Sequence, residues 1–342
     1  MRGYTKLQLF TDLNNQDKNE LILRTASIQK ISPILVEKDF WVTWLLNKLF
    51  SLDISSSLTF KGGTSLSKCY GLINRFSEDC DITIDKTIFI ENIKDKNLSN
   101  KQFQKLLDEN DIRATYFVQN LLKPQLEENI KSSLPHNSKW ELALDVAEPK
   151  NLRFFYPSIL EISPQSYIKK SILLESGIRG EINPSEKKTV ISFVETQFPD
   201  LLKTEQVQIR TLSPLRTFWG KITLLHAENN KPLDKKRGDR TSRHYYDVYQ
   251  LLKTDIPDKS IESINILFDV IDNKKRFFRT SWAKYETAIP GTLTITPKES
   301  LLSNLKVDYK QMELMIYGEI PKFEDIIKEI THFEKRFNLL NI

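Results

Sequence analysis

Cysteine is nearly missing from this sequence: Cys69 and Cys80 are the two thiols in 342 residues. Two cysteines make neither a disulfide framework nor the paired spacing of a zinc site, and they point to a reducing cytoplasm as the expected compartment. Catalysis by a thiol is accordingly not expected. Histidine is also scarce, and His136, His226 and His332 have no neighbour at metal-ligand spacing. No apolar run approaches the roughly eighteen residues of a membrane span, so no membrane partner is expected. The opening MRGYTKLQLFTDLNNQDKNE lacks the apolar core of a secretory signal. Repeats and low-complexity tracts are absent. The net charge of +5 is small for the length, yet Lys231 to Arg243 (KPLDKKRGDRTSR) holds six basic residues against two acidic ones. Such a local excess can guide an RNA phosphate backbone, although a solvated loop has the same composition.

What is present is concentrated in residues 58–85, LTFKGGTSLSKCYGLINRFSEDCDITID. A short apolar strand, Leu58 to Phe60, runs into Lys61-Gly62-Gly63-Thr64-Ser65 at the start of a helical stretch. Two glycines there allow a tight turn and leave N–H groups facing an incoming anion. A second strand carries Asp79-Cys80-Asp81-Ile82. Successive strand residues alternate faces, so Asp79 and Asp81 project together. Two close carboxylates repel unless a cation lies between them, and Mg²⁺ is the natural one, usually held by one or two carboxylates with phosphates and water completing its shell. A phosphate cradle beside a carboxylate pair reads as a nucleoside triphosphate site.

Gly-Gly, a short helix and then Asp-x-Asp on the next strand is a combination that resembles the polymerase β-like nucleotidyltransferase superfamily. The longer wording, FKGGTSLSKCYGLINRFSEDCDITI, is similar more narrowly to the AbiEii/AbiGii toxin family, the nucleotidyltransferase half of abortive-infection and toxin–antitoxin pairs. Fifteen residues separate Gly63 from Asp79. That interval is slightly longer than is usual in the superfamily, and a loop at Asn74 to Glu78 would take up the excess. VEKDFWVTWLL, RTFWGKITLLH, RHYYDVYQL and DYKQMELMIYGEIPKFEDII continue the resemblance over roughly residues 33–340.

The remaining pattern fits an α+β fold: a nucleotidyltransferase core with a mixed or antiparallel sheet, followed by a helical C-terminal domain. Residues 16–50 predict two helices divided at Ser32-Pro33, and 86–134 a polar, mostly helical stretch. Residues 139–146, 152–162 and 167–175 predict strands. Helices are expected over 213–229 and, beyond the basic loop, from Arg243 onward, then over 259–278, 298–317 and 321–340. The boundary is placed between 1–205, the nucleotidyltransferase domain with its N-terminal helices, and 206–342, the helical domain expected to complete the cleft. On α-helical spacing Lys221 falls on or beside an apolar face, where its ammonium would meet a phosphate or snorkel to water. Arg243, His244, Asp247 and Gln250 share a polar side that by pattern alone reads as solvated. Glu37, Lys38 and Asp39 read as surface or structural charges.

The resemblance implies the site residues. Asp79 and Asp81 would hold Mg²⁺, or Mn²⁺ in its place, with a third carboxylate from a neighbouring strand: Glu175 first, Asp145 as the alternative. Gly62, Gly63, Thr64 and Ser65 would bind the triphosphate, and Lys221 and Asp247 carry over as active-site residues. The implied reaction moves a nucleoside monophosphate from an NTP to an RNA acceptor, the tRNA 3′ end, with pyrophosphate leaving. A cognate antitoxin is the implied partner. The alternatives are a protein hydroxyl as acceptor, or an NTP-binding regulator without turnover.

Overall fold

Short strands interleaved with helices form two compact units in a computed structural model that describes residues 7–89, 99–161 and 169–341. The first unit takes Met1–Cys69 and Glu78–Thr211; the second takes Leu212–Ile342 together with Tyr70–Ser77. Where the sequence suggested one boundary after residue 205, the chain therefore also lends an early segment to the second unit. Positions 90–98 of the expected helical stretch, and 162, 167 and 168 of two expected strands, lie outside the described residues.

In the first unit, α1 (Asn15–Gln29) and α2 (Pro33–Phe50) precede β1 (Leu58–Lys61), α3 (Gly62–Lys68) and β2 (Asp79–Ile84). Then come α4 (Asn100–Phe117), a π-helical stretch Val118–Leu122, α5 (Lys123–Ser133), β3 (Glu141–Leu144), β4 (Leu152–Phe155), β5 (Ile172–Gly177), β6 (Ser185–Lys188), α6 (Phe193–Gln197) and β7 (Ile209–Leu212). Ser32 and Pro33 divide the first two helices as expected, with Pro at the first turn where its missing N–H costs nothing.

Among the described residues the strands form one mixed seven-stranded sheet in the order β3-β4-β5-β2-β1-β7-β6. β1 is antiparallel to β2, β2 is parallel to β5, and β5, β4 and β3 run antiparallel in turn. Phe60, Cys80, Ile82, Leu152, Phe154, Ile172 and Leu174 are all buried. Trp41 and Trp44 of α2 pack on Phe154, with ring centroids 6.2 and 5.9 Å away. Leu35 to Phe50 of that helix is buried without interruption, so it serves as the core's central rod rather than as an amphipathic surface helix.

The second unit is helical: α7 (Pro214–Asn230), α8 (Ser242–Leu252), α9 (Ile256–Glu262), α10 (Asn265–Phe277), α11 (Glu299–Met312) and α12 (Phe323–Asn338). Phe218 and Trp219 of α7 meet Phe333 and Phe337 of α12 at centroid distances of 5.6 and 5.5 Å. The early segment is tied in by its backbone: Phe76 N–H donates to Met315 C=O at 2.7 Å, and Tyr317 N–H to Asn74 C=O at 3.0 Å. No described helix is long and apolar enough to cross a membrane.

His226 is the buried pin of the irregular stretch between α10 and α11. Its Nδ1 accepts from Thr294 N–H at 3.1 Å, which leaves Nε2 to donate to Lys284 C=O at 3.1 Å. Burial holds this imidazole below its ordinary value, against the hydrogen bond from its ring to Lys284. The folded state thus favours neutral His226, and its contribution to stability is complete above about pH 6.5 and is lost as pH falls from there through the lower folded-state value. Lowering the pH from 7.5 to 5.5 should reduce the melting temperature of the wild type more than that of His226→Gln; equal falls would assign the acid sensitivity elsewhere.

Candidate active site

The turn between β1 and α3 is built around one backbone conformation. Gly62 has φ +81°, the left-handed region, and a Cβ there would collide with Oδ2 of Asp81 and lie 2.8 Å from its Cγ. Only glycine lets the turn come so close to that carboxylate. Ser65 Oγ donates to Gly62 C=O at 2.9 Å, and the Thr64 hydroxyl donates to the carbonyl of Asp79. Gly63, Thr64 and Ser65 are buried; the Thr64 hydroxyl stitches the turn to the start of β2, and that of Ser65 braces the turn itself.

Asp79 and Asp81 are half-buried on one face of β2, with Cys80 and Ile82 buried on the other. In register, Asp81 stands opposite Lys61 of β1 on one side and Glu175 of β5 on the other. Lys61, Asp81 and Glu175 therefore form one row across three strands on the same face. Glu175 is exposed and lies within β5, which runs on to Gly177, rather than closing the strand. Asp145 is placed differently. It lies beyond the end of β3, two strands removed from β2. Its carboxylate accepts from Arg153 at 2.7 and 3.2 Å and from the N–H groups of Ala147 and Glu148. The Arg153 hydrogen bond holds Asp145 below the usual carboxylate range and fastens it into the turn.

Among the described residues no three His, Cys, Asp or Glu side chains converge into a ready-made metal cage. Asp79, Asp81 and Glu175 offer oxygen donors only, which suits Mg²⁺ or Mn²⁺ and not zinc. Mg²⁺ in nucleotide sites takes few protein ligands because the substrate supplies the rest, so an open carboxylate pair fits that ion. Thiol chemistry is disfavoured: burial pushes Cys69 up to about 11 and Cys80 higher still.

A second polar cluster is buried inside the second unit. Asp247 of α8 is fully enclosed and accepts from Lys221 Nζ of α7 at 2.7 Å. It also receives Arg75 as a fork, Nε to Oδ1 at 2.7 Å and Nη2 to Oδ2 at 2.8 Å. Burial alone would raise this carboxylate, but Arg75 and Lys221 hold it well below the usual range. Burial draws Lys221 below the ordinary lysine value, opposed by Asp247 and assisted by Arg75. The α8 side that reads as solvated by pattern is thus interior at Asp247. His244 is half-buried with Nδ1 sealed off and unpartnered among the described residues, as is Arg243 Nε. Burial, Lys221 and Arg243 keep its imidazole neutral.

Arg75 went unread in the sequence. It lies inside the RFSED block, but its partner is 172 residues away and no local period announces it. His136 and His332 are exposed, and His226 is the structural pin described above. Removing Asp247 would strand two buried cations, a loss of about 3–5 kcal/mol by the general behaviour of broken buried pairs. Urea unfolding of Asp247→Ala should report a deficit of that size; a change under about 1 kcal/mol would show the cluster to be well solvated.

Comparison with known proteins bears on the family and the fold. A family model described as "Nucleotidyl transferase AbiEii toxin, Type IV TA system" matches residues 44–329. Among solved structures, MenT4, a nucleotidyltransferase toxin from Mycobacterium tuberculosis, superposes with a TM-score of 0.53 at 14% identity, covering 96% of this chain and 91% of that one. At that identity the likeness speaks for the fold. No curated protein matches. With most of its length matched by the family model, a mixed sheet carrying Asp-x-Asp against a glycine turn, and the same fold as a known toxin, the chain belongs to the AbiEii nucleotidyltransferase toxin family of type IV toxin–antitoxin systems.

Proposed function

We propose that the protein transfers a nucleoside monophosphate from an NTP to the 3′ end of a tRNA, arresting growth until a cognate antitoxin counters it. The observation that carries the reading is the row of carboxylates beside the glycine turn: Asp81 packed on Gly62, Asp79 on the same face, and Glu175 in register across β5. Held by Asp79 and Asp81 with Glu175 beside them, Mg²⁺ or Mn²⁺ would neutralise triphosphate charge and lower the pKa of the attacking hydroxyl. Gly62, Gly63, Thr64 and Ser65 form the turn that bears the triphosphate, the missing side chain at Gly62 letting that turn lie against Asp81. The acceptor oxygen forms a bond to the α-phosphorus, the bond from that phosphorus to the bridging oxygen breaks, pyrophosphate leaves, and the acceptor proton passes to solvent.

Lys221 is assigned to the phosphate charge that builds on the leaving group, with Asp247 holding its ammonium in one orientation. Arg75, Lys221 and Arg243 outnumber Asp247 by three charges to one within the second unit, an excess that favours a polyphosphate. Lys235 and Lys236 of the basic loop are exposed, and they suit an RNA backbone.

Incubation of the purified protein with total RNA, Mg²⁺ and each α-labelled NTP in turn should label a tRNA-sized band. The Asp79→Ala/Asp81→Ala variant should give none, a loss of at least about a thousandfold for a site deprived of its metal carboxylates. Label appearing on protein instead would move the acceptor to a protein hydroxyl. Intact NTP binding without any transfer would make this member a binding-only regulator.

A further inference from the structure

Three consecutive residues of α2, Glu37, Lys38 and Asp39, are charged and only 1%, 1% and 0% exposed. Neighbouring helix residues project about 100° apart, so a helix packed on every side sends such a trio to three different places. Glu37 accepts from Ile159 N–H at 2.6 Å and from the Ser158 hydroxyl at 2.8 Å. Asp39 accepts from Lys68 Nζ, at the end of α3, at 2.6 Å and from Phe193 N–H at 2.7 Å.

Lys38 goes elsewhere. Its ammonium donates to Glu78 Oε2 at 2.7 Å and to Lys169 C=O at 2.9 Å. Glu78 immediately precedes Asp79, and Lys169 stands just ahead of β5. One buried ammonium thus ties together the leading ends of the two parallel strands that carry Asp79, Asp81 and Glu175. A buried ion pair is a poor source of net stability, since apolar residues of similar volume do as well or better. Its yield here is geometry.

We infer that Lys38 is a positioning residue for the nucleotide-transfer site, fixing through Glu78 and the Lys169 carbonyl the register in which Asp79 and Asp81 face Glu175. This rests on the reaction proposed above. Residues that orient metal-binding side chains from behind typically change metal affinity or activity by roughly 10–100-fold. The test uses the full chain and Mn²⁺ as the probe, with Lys38→Met, Glu78→Gln and, as control, Glu37→Gln, all measured well below each melting temperature. Lys38→Met should weaken Mn²⁺ binding, read by electron paramagnetic resonance, by roughly 10–100-fold and lower kcat similarly, with KM for the NTP far less affected. Glu37→Gln should lower the melting temperature and leave Mn²⁺ affinity and kcat in place. Folded Lys38→Met with unchanged Mn²⁺ affinity, or an equal loss in Glu37→Gln, would overturn the inference. Should Lys38→Met not fold, Glu78→Gln, which gives up the charge that holds the ammonium, is judged by the same criteria. A parent protein that binds Mn²⁺ but transfers nothing would refute the reaction, and the Mn²⁺ comparison would still decide the role of Lys38.

Discussion

The close approach of Asp81 to the backbone of Gly62 is the constraint on which the first unit's site depends. It requires a residue without Cβ at a left-handed turn, brings the turn against β2, and leaves the carboxylate on the same face as Asp79. Parallel pairing with β5 then adds Glu175 to the row. None of this needs a loop to close. The carboxylates lie on a sheet, and sheets hold spacing better than loops do.

Electrostatics in the second unit are of another kind. Asp247 is not a surface group that happens to be paired; it is enclosed, and its charge is maintained by two cations at hydrogen-bond distance. Such an arrangement is costly to break and adds little when intact. Lys221 is thereby kept from wandering, as a lysine stem otherwise would.

Much of the first unit was legible in the sequence because its signals are local. Gly62-Gly63 and Asp79-x-Asp81 are read by turn chemistry and by the two-residue strand period, and the helix start at Ser32-Pro33 by capping rules. Glu175 could be nominated but not aligned, since register comes from pairing across 94 positions. The buried charges of α2 were illegible for the opposite reason. A run of Glu, Lys and Asp on a helix normally marks water, and only partners at positions 68, 78, 158–159, 169 and 193 make the interior tolerable. Asp247 misled in the same way, its local pattern being that of an exposed face.

The assignment of Tyr70–Ser77 to the second unit alters what can be cut from this chain. The polypeptide passes between units at residues 69/70, 77/78 and 211/212, so neither unit is a continuous stretch of sequence. A fragment beginning at Leu212 would lack Arg75 and the backbone partners of Met315 and Tyr317. During synthesis Arg75 emerges long before Asp247, and the second unit cannot close its interior until α12, with its buried Phe333 and Phe337, has left the ribosome. A product that stops short of α12 therefore carries no finished second unit, even though every residue of the first has been made.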